Sequence, residues 1–116
     1  MFGIKHVEAR ELSTWLATEK FLLLDVRTPG ETAYGIIPGA KLLPLHLLPL
    51  HLDQIRGHDK VVVYCQSGAR SAQACMFLAR NGIDSSVNLS NGIMAWAAER
   101  LPMVRPDESS NLLGGA

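Results

Sequence analysis

The hydrophobic positions alternate between two kinds of pattern along the chain. Short apolar runs occupy residues 21–26, interrupted only by Asp25, and 61–64, with weaker ones at residues 40–43 and 86–89. Runs of that length without polar alternation predict strands buried on both faces. Between them, apolar residues recur at helical spacing: Leu12, Trp15 and Leu16 within residues 8–17, and a small-residue stretch leading through Cys75 and Leu78 to Ala79. Gly82 supplies a stop signal for that helix. A last helix is predicted over residues 91–100, with Trp96 facing inward and Pro102 ending it, and a short extended piece at residues 4–7 precedes the first. Strands separated by helices predict an α/β domain: a doubly wound, mostly parallel five-stranded sheet with helices on both faces. In such sheets ligands bind beyond the carboxyl ends of the strands.

At 116 residues the chain is long enough to bury one core without staples. The pattern predicts a domain over residues 1–102 and a flexible tail over residues 103–116, disordered or loosely docked, where Pro106, Ser109, Ser110, Gly114 and Gly115 interrupt any periodicity. One internal repeat interrupts the domain: the five residue types from Leu42 to His46 recur from Leu47 to His51. Its two prolines exclude a membrane helix. Two accounts stay open for it, a strand exit followed by a short core-facing helix started by proline, and an apolar lip for a protein partner.

Composition narrows the partners. Eleven basic and eleven acidic residues cancel, so no global field recruits nucleic acid or an anionic membrane, and any anion site is local. The N-terminus carries no apolar region followed by a small-residue cleavage site, so secretion is not signalled. If the fourth strand's helix starts near Ala69, Cys75 lies about 9 Å along its axis, too far for an undistorted bridge to Cys65. Both cysteines are therefore expected as reduced thiols in a cytoplasmic protein. Metal ligation is not expected: His46 and His51 are five apart, and His6 and His58 lack thiol or carboxylate clusters of ligand spacing.

Cys65 is the residue whose position points to chemistry. It follows the buried run 61–64 and precedes the small, polar stretch from Gln66 to Ser71, which feeds a helix. Backbone N–H groups at such a turn converge on whatever occupies it, and the helix dipole adds to them, so a thiolate or an anion is favoured there. A lowered cysteine pKa raises the fraction of the nucleophilic thiolate. The competing account is a buried strand-end cysteine. Cys75, on one helical stripe with Ala72 and Ala79, reads as core.

Four segments taken together carry a family resemblance over about residues 4–102: Asp25 to Glu31 (DVRTPGE), Gly35 to Ala40 (GIIPGA), Tyr64 to Ala72 (YCQSGARSA) and Asn88 to Trp96 (NLSNGIMAW). In this order they resemble a single-domain rhodanese of the thiosulfate sulfurtransferase type. The resemblance implies a doubly wound α/β domain whose cysteine, here Cys65, takes a sulfane sulfur from thiosulfate or a similar donor. The resulting persulfide passes the sulfur to a thiol, to cyanide or to a protein acceptor. Two departures bear on loop packing: Ile36 stands where the family often has histidine, and Asn91 where it has a second glycine.

The loop composition suits that reaction. A soft nucleophile must attack sulfur while sulfite leaves, and a ring of N–H groups from residues 66–70 would hold the anionic persulfide with neither metal, cofactor nor general base. Gln66, Ser67, Gly68, Ala69, Arg70 and Ser71 are the expected substrate-binding residues, Gly68 letting the backbone curl and Ala69 keeping the cradle free of bulk. Arg70 is open to two roles, orienting an anionic donor or pairing with a carboxylate. Ser67 and Ser71 either donate hydroxyls to the bound anion or cap the following helix. Asp25, Arg27 and Glu31 form an expected supporting shell, with Arg27 pinning the loops through a salt bridge. Related phosphatases and arsenate reductases place five residues between cysteine and arginine, whereas four, Gln66 to Ala69, lie between Cys65 and Arg70. By that resemblance the cradle suits a single sulfur atom rather than phosphate. The partners implied are a small-molecule sulfur donor and acceptor, or a sulfur-carrier protein in a protein-to-protein relay; an inactive binding module would have no use for Cys65 in an intact loop.

Overall fold

The computed structural model describes residues 3–112. Five strands, β1 (Lys5–Val7), β2 (Leu22–Asp25), β3 (Lys41–Leu42), β4 (Val61–Tyr64) and β5 (Ser86–Leu89), form one sheet in the order β1-β5-β4-β2-β3. Every pairing between neighbours is parallel. Among the described residues four α-helices lie between the strands, α1 (Ala9–Thr18), α2 (Pro29–Thr32), α3 (Leu52–Arg56) and α4 (Ala69–Arg80), and α5 (Gly92–Ala98) follows β5.

Side-chain alternation divides the core into two layers. In β2, Leu23 joins one apolar cluster while Leu22 and Leu24 join the other; in β4, Val62 and Tyr64 face the first and Val61 and Val63 the second. The first cluster takes in Leu12 of α1 and Ile93 and Trp96 of α5. The second takes in Ile55 of α3 and Ala74, Cys75 and Leu78 of α4. Burial on both faces favours apolar residues at successive positions, which is why β4 and the first three residues of β2 read as apolar runs, while the buried Asp25 that ends β2 is paired with Arg27. Truncating a wholly buried leucine such as Leu24 to alanine costs about 2–5 kcal/mol.

The repeat resolves into β3 followed by a 3-10 helix, Leu45–His51, that runs into α3. Pro44 precedes the 3-10 segment, and Leu43 and Leu48 enter the second cluster with Leu45, Leu47 and Leu52 packed against it. Leu50 alone in the repeat is a largely exposed leucine, at 73%.

Where it is described, the tail lies along the sheet edge. Val104 exchanges two backbone hydrogen bonds with Ile36, at 2.8 and 2.9 Å, and the Lys41 ammonium donates to the Ser109 carbonyl at 2.5 Å. Asn111 bridges to Leu42, so the chain returns to the open edge of β3 and satisfies backbone groups there. A capping box between Asp107 and Ser110 starts a 3-10 turn, Glu108–Ser110. Residues 103–112 are thus docked through Val104, Ser109 and Asn111, by pairing that side-chain periodicity does not reveal; residues 113–116 of the expected tail lie outside the described residues. Among the described residues, no helix is long and apolar enough to cross a membrane.

Candidate active site

Chain connections run from β2 outward to β3 on one side of the sheet and from β4 outward to β5 on the other, so the crevice between the carboxyl ends of β2 and β4 is a switch point. Cys65 follows β4 directly, and Arg27 lies two residues beyond β2.

Cys65 is wholly buried among the apolar side chains of the second cluster. Gly68, with φ of 103°, reverses the chain and acts as the N-cap of α4, turning amides inward toward sulfur. The Gly68 N–H donates to Cys65 Sγ at 3.1 Å and the Ser71 N–H at 3.4 Å. The Ser71 hydroxyl also lies 3.4 Å from Sγ. Its single proton has a closer acceptor in Asn88 Oδ1 at 2.5 Å, so the two amides are the steadier donors. Burial on its own would push the Cys65 thiol up, but the Ser71 hydroxyl and the Ser71, Gly68 and Ser67 amides outweigh it and hold the pKa below its ordinary value. The donors to sulfur therefore cluster at Gly68 and Ser71 and extend one residue past the expected span of 66–70.

A second loop clamps the first from behind. Ile93 N–H donates to the Cys65 carbonyl at 2.9 Å and Met94 N–H to the Gln66 carbonyl at 3.2 Å. Two carbonyls drawn to the start of α5 leave the following amides free to face sulfur. Gly92 makes this approach possible: a Cβ there would sit 2.5 Å from both carbonyl oxygens. Asn91 takes φ of 59°, the left-handed region that asparagine tolerates, and so fills the position where a second glycine was expected. Ile36, in place of histidine, is buried in the first cluster.

Asp25 and Arg27 form a buried ion pair at the end of β2, with Arg27 Nη2 at 2.7 Å from Asp25 Oδ2 and Nε within 3.1 Å of both oxygens. Arg27 also donates to the Gly35 carbonyl at 2.8 Å and to Gln66 Oε1 at 3.4 Å, which ties β2, the segment after α2 and the Cys65 loop together. Burial opposes the Arg27 charge, and the hydrogen bond and charge of Asp25 more than offset it, raising the pKa. The neighbouring Tyr64 hydroxyl accepts from Ile37 N–H at 3.1 Å, and burial raises its pKa.

Arg70 and Glu31 meet in a two-pronged ion pair, Nη1 to Oε1 at 2.8 Å and Nη2 to Oε2 at 2.7 Å. Of the two roles open to Arg70, the structure places it on a carboxylate at the loop rim. Glu31 is held from its other side by Thr28, whose N–H donates to Oε1 at 3.0 Å in a capping box that starts α2. Arg70 is the main cause of a Glu31 pKa lowered to about 2. Of the remaining expected residues, Gln66, Ser67 and Ala69 are exposed along the outer side of the loop. Cys75 is a free thiol inside α4, and burial pushes its pKa up to about 11. Beside the loop, an apolar cleft of about 770 Å³ runs from Gln66 past Tyr34, Ile93, Met94 and Met103.

Asn88 and Gly92, although within the segment from Asn88 to Trp96, have no role assigned by the sequence alone, and the exposed apolar side chains of the cleft are not signalled by it. Asn91-Gly92 at a helix start is a signal for a tight backbone approach. Asn88 carries no comparable signal, because its polar side chain is interpretable only once β5 is seen beside β4.

Comparison with known proteins agrees with this geometry. The sequence matches the rhodanese-like domain over residues 8–99. It is 47% identical over 105 residues to a protein named sulfurtransferase from Allochromatium vinosum, covering 90% of this chain and 98% of that one. It is 36% identical over 99 residues to the probable adenylyltransferase/sulfurtransferase MoeZ of Mycobacterium tuberculosis, covering 83% of this chain but only 25% of that protein. Among solved structures, a rhodanese-related protein from Thermoplasma volcanium superposes with a TM-score of 0.79 at 30% identity, over 88% of this chain and 99% of that one. A rhodanese-like domain protein from Staphylococcus aureus gives 0.75 at 38% identity, over 80% and 91%.

Proposed function

The chain belongs to the rhodanese-like family of sulfurtransferases, and from that premise we propose that Cys65 is the residue that carries the sulfur. The thiolate attacks the outer sulfur of a sulfane donor, thiosulfate being the simplest. Its electron pair forms the new S–S bond while the old one breaks, and the donor leaves with that bonding pair, as sulfite from thiosulfate. The persulfide is anionic at its terminal sulfur, and a thiol, cyanide or a protein thiol takes that sulfur and returns Cys65 to the thiolate. Gln66, Ser67, Gly68, Ala69, Arg70 and Ser71 form the cradle, and Asp25, Arg27 and Glu31 brace it. Neither a metal nor a cofactor enters the cycle.

The observation that carries this reading is the convergence of the Gly68 and Ser71 amides on Cys65 Sγ. Fixed dipoles aimed at Sγ stabilise the attacking thiolate, and stabilise it again when the acceptor has taken the outer sulfur and Cys65 leaves as thiolate. A protein-to-protein relay is the second reading, favoured by the exposed Tyr34, Met94 and Met103 beside the loop and by similarity to one part of the longer MoeZ. Intact-protein mass before and after thiosulfate tests the assignment. Wild type and Cys65 alone (Cys75→Ser) are expected to gain one sulfur atom and lose it again to cyanide. Sulfur retained by Cys65→Ser contradicts the proposal.

A further inference from the structure

Every arginine at the crevice is already committed to a carboxylate. Arg27 is paired with Asp25 and buried, while Arg70, at the loop rim and about one-third exposed, is paired with Glu31 through two parallel hydrogen bonds. Glu31 is not free to swing away, because Thr28 holds Oε1 through both its N–H, at 3.0 Å, and its hydroxyl, at 3.1 Å. These two pairs contribute no net charge to the entrance, and the Cys65 thiolate behind it repels anions. A dianionic donor must therefore share Arg70 with a pre-positioned carboxylate; a donor of lower charge meets a smaller penalty.

We propose that Glu31 is a specificity-determining residue of the sulfur-loading step, which by occupying Arg70 turns the entrance toward sulfane donors of low charge, such as organic thiosulfonates and persulfides, and against thiosulfate. This rests on Cys65 being the sulfur acceptor. The apolar cleft beside Gln66 is consistent with such donors, since it offers an organic substituent a surface that thiosulfate has no means to use.

Two donors that deliver the same sulfur separate charge from chemistry. Thiosulfate, a dianion, leaves as sulfite, and benzenethiosulfonate, a monoanion, leaves as benzenesulfinate; each gives the same Cys65 persulfide. The rate constant for adduct formation is measured for both by quenching and intact mass. In Glu31→Gln, whose amide oxygen still accepts from Thr28 N–H, the thiosulfate-to-benzenethiosulfonate ratio is expected to rise about two- to five-fold, the range of a partly exposed ion pair. The rise is expected to vanish in Glu31→Gln/Arg70→Ala. An unchanged or lower ratio in Glu31→Gln overturns the proposal. The wild-type rates provide a test that does not depend on any variant folding. Between low and high salt, the reaction with thiosulfate is not expected to slow, whereas slowing that benzenethiosulfonate does not share reveals a free cation and overturns the proposal. A wild type that gains sulfur from neither donor refutes instead the assignment of Cys65 on which the proposal rests.

Discussion

The two cysteines stand ten positions apart, on either side of one turn and the first half of one helix, and both are buried in the same apolar cluster. Their thiols are nevertheless pushed in opposite directions, Cys65 below its ordinary pKa and Cys75 up to about 11. Burial opposes the thiolate in both, so burial is not what distinguishes them. The difference is where the backbone donors go. Inside α4 each N–H is used by the carbonyl one turn earlier, and Cys75 finds only a contact with Ser86. At the start of α4 the first amides have no such partner, and Gly68 turns them onto Cys65. The thiol with the lowered pKa is the one placed where a helix has donors to spare.

The comparison breaks most completely at Gly92. Replacing it by alanine puts a Cβ within 2.5 Å of the Cys65 and Gln66 carbonyls in a backbone with φ of 57°. Because those are backbone atoms, the clamp must open, and Gly92→Ala is expected to cost about 2–4 kcal/mol in denaturant unfolding. The freed carbonyls no longer hold the loop amides on sulfur, so the Cys65 pKa is expected to move up toward that of Cys75. A variant with wild-type stability and an unmoved Cys65 pKa would show that the second loop does not hold the first.

A smaller effect is expected from the carboxylate at the same rim. The Glu31 pKa falls from 4.5 to about 2 through its bonds to Arg70 and Thr28. A group depressed on folding adds stability above its unfolded pKa, and loses it as pH falls through the folded value. Glu31 is thus expected to contribute fully above about pH 4.5 and progressively less toward pH 2, by about 1 kcal/mol or less after solvent screening. Unfolding midpoints measured across that range should fall less steeply in Glu31→Gln than in wild type. Parallel curves would mean the ion pair adds nothing to the fold.

What the sequence discloses follows from what each feature depends on. β2, β4 and the Cys65 turn were legible because a short apolar run and an abrupt change to small polar residues are local signals. α2 escaped because four residues show no periodicity, although Thr28 with Pro29 after it and Glu31 three positions on is a capping-box signature. The partner of Arg70 lies 39 positions away and depends on β2 and β4 being neighbours, which no local pattern reveals. Where the tail docks is illegible for a related reason: Val104 and Asn111 attach through backbone pairing, which leaves no hydrophobic rhythm behind.

The contrast between the two thiols is measured most directly by titrating thiolate absorbance in a pair of single-cysteine proteins. Cys75→Ser leaves Cys65 to be observed alone, and Cys65→Ser leaves Cys75. The account predicts that Cys65 ionises below the ordinary thiol value of 9.0 and Cys75 near 11. Cys65 ionising at or above 9.0 would contradict the claim that the Gly68 and Ser71 amides prepare it for sulfur transfer.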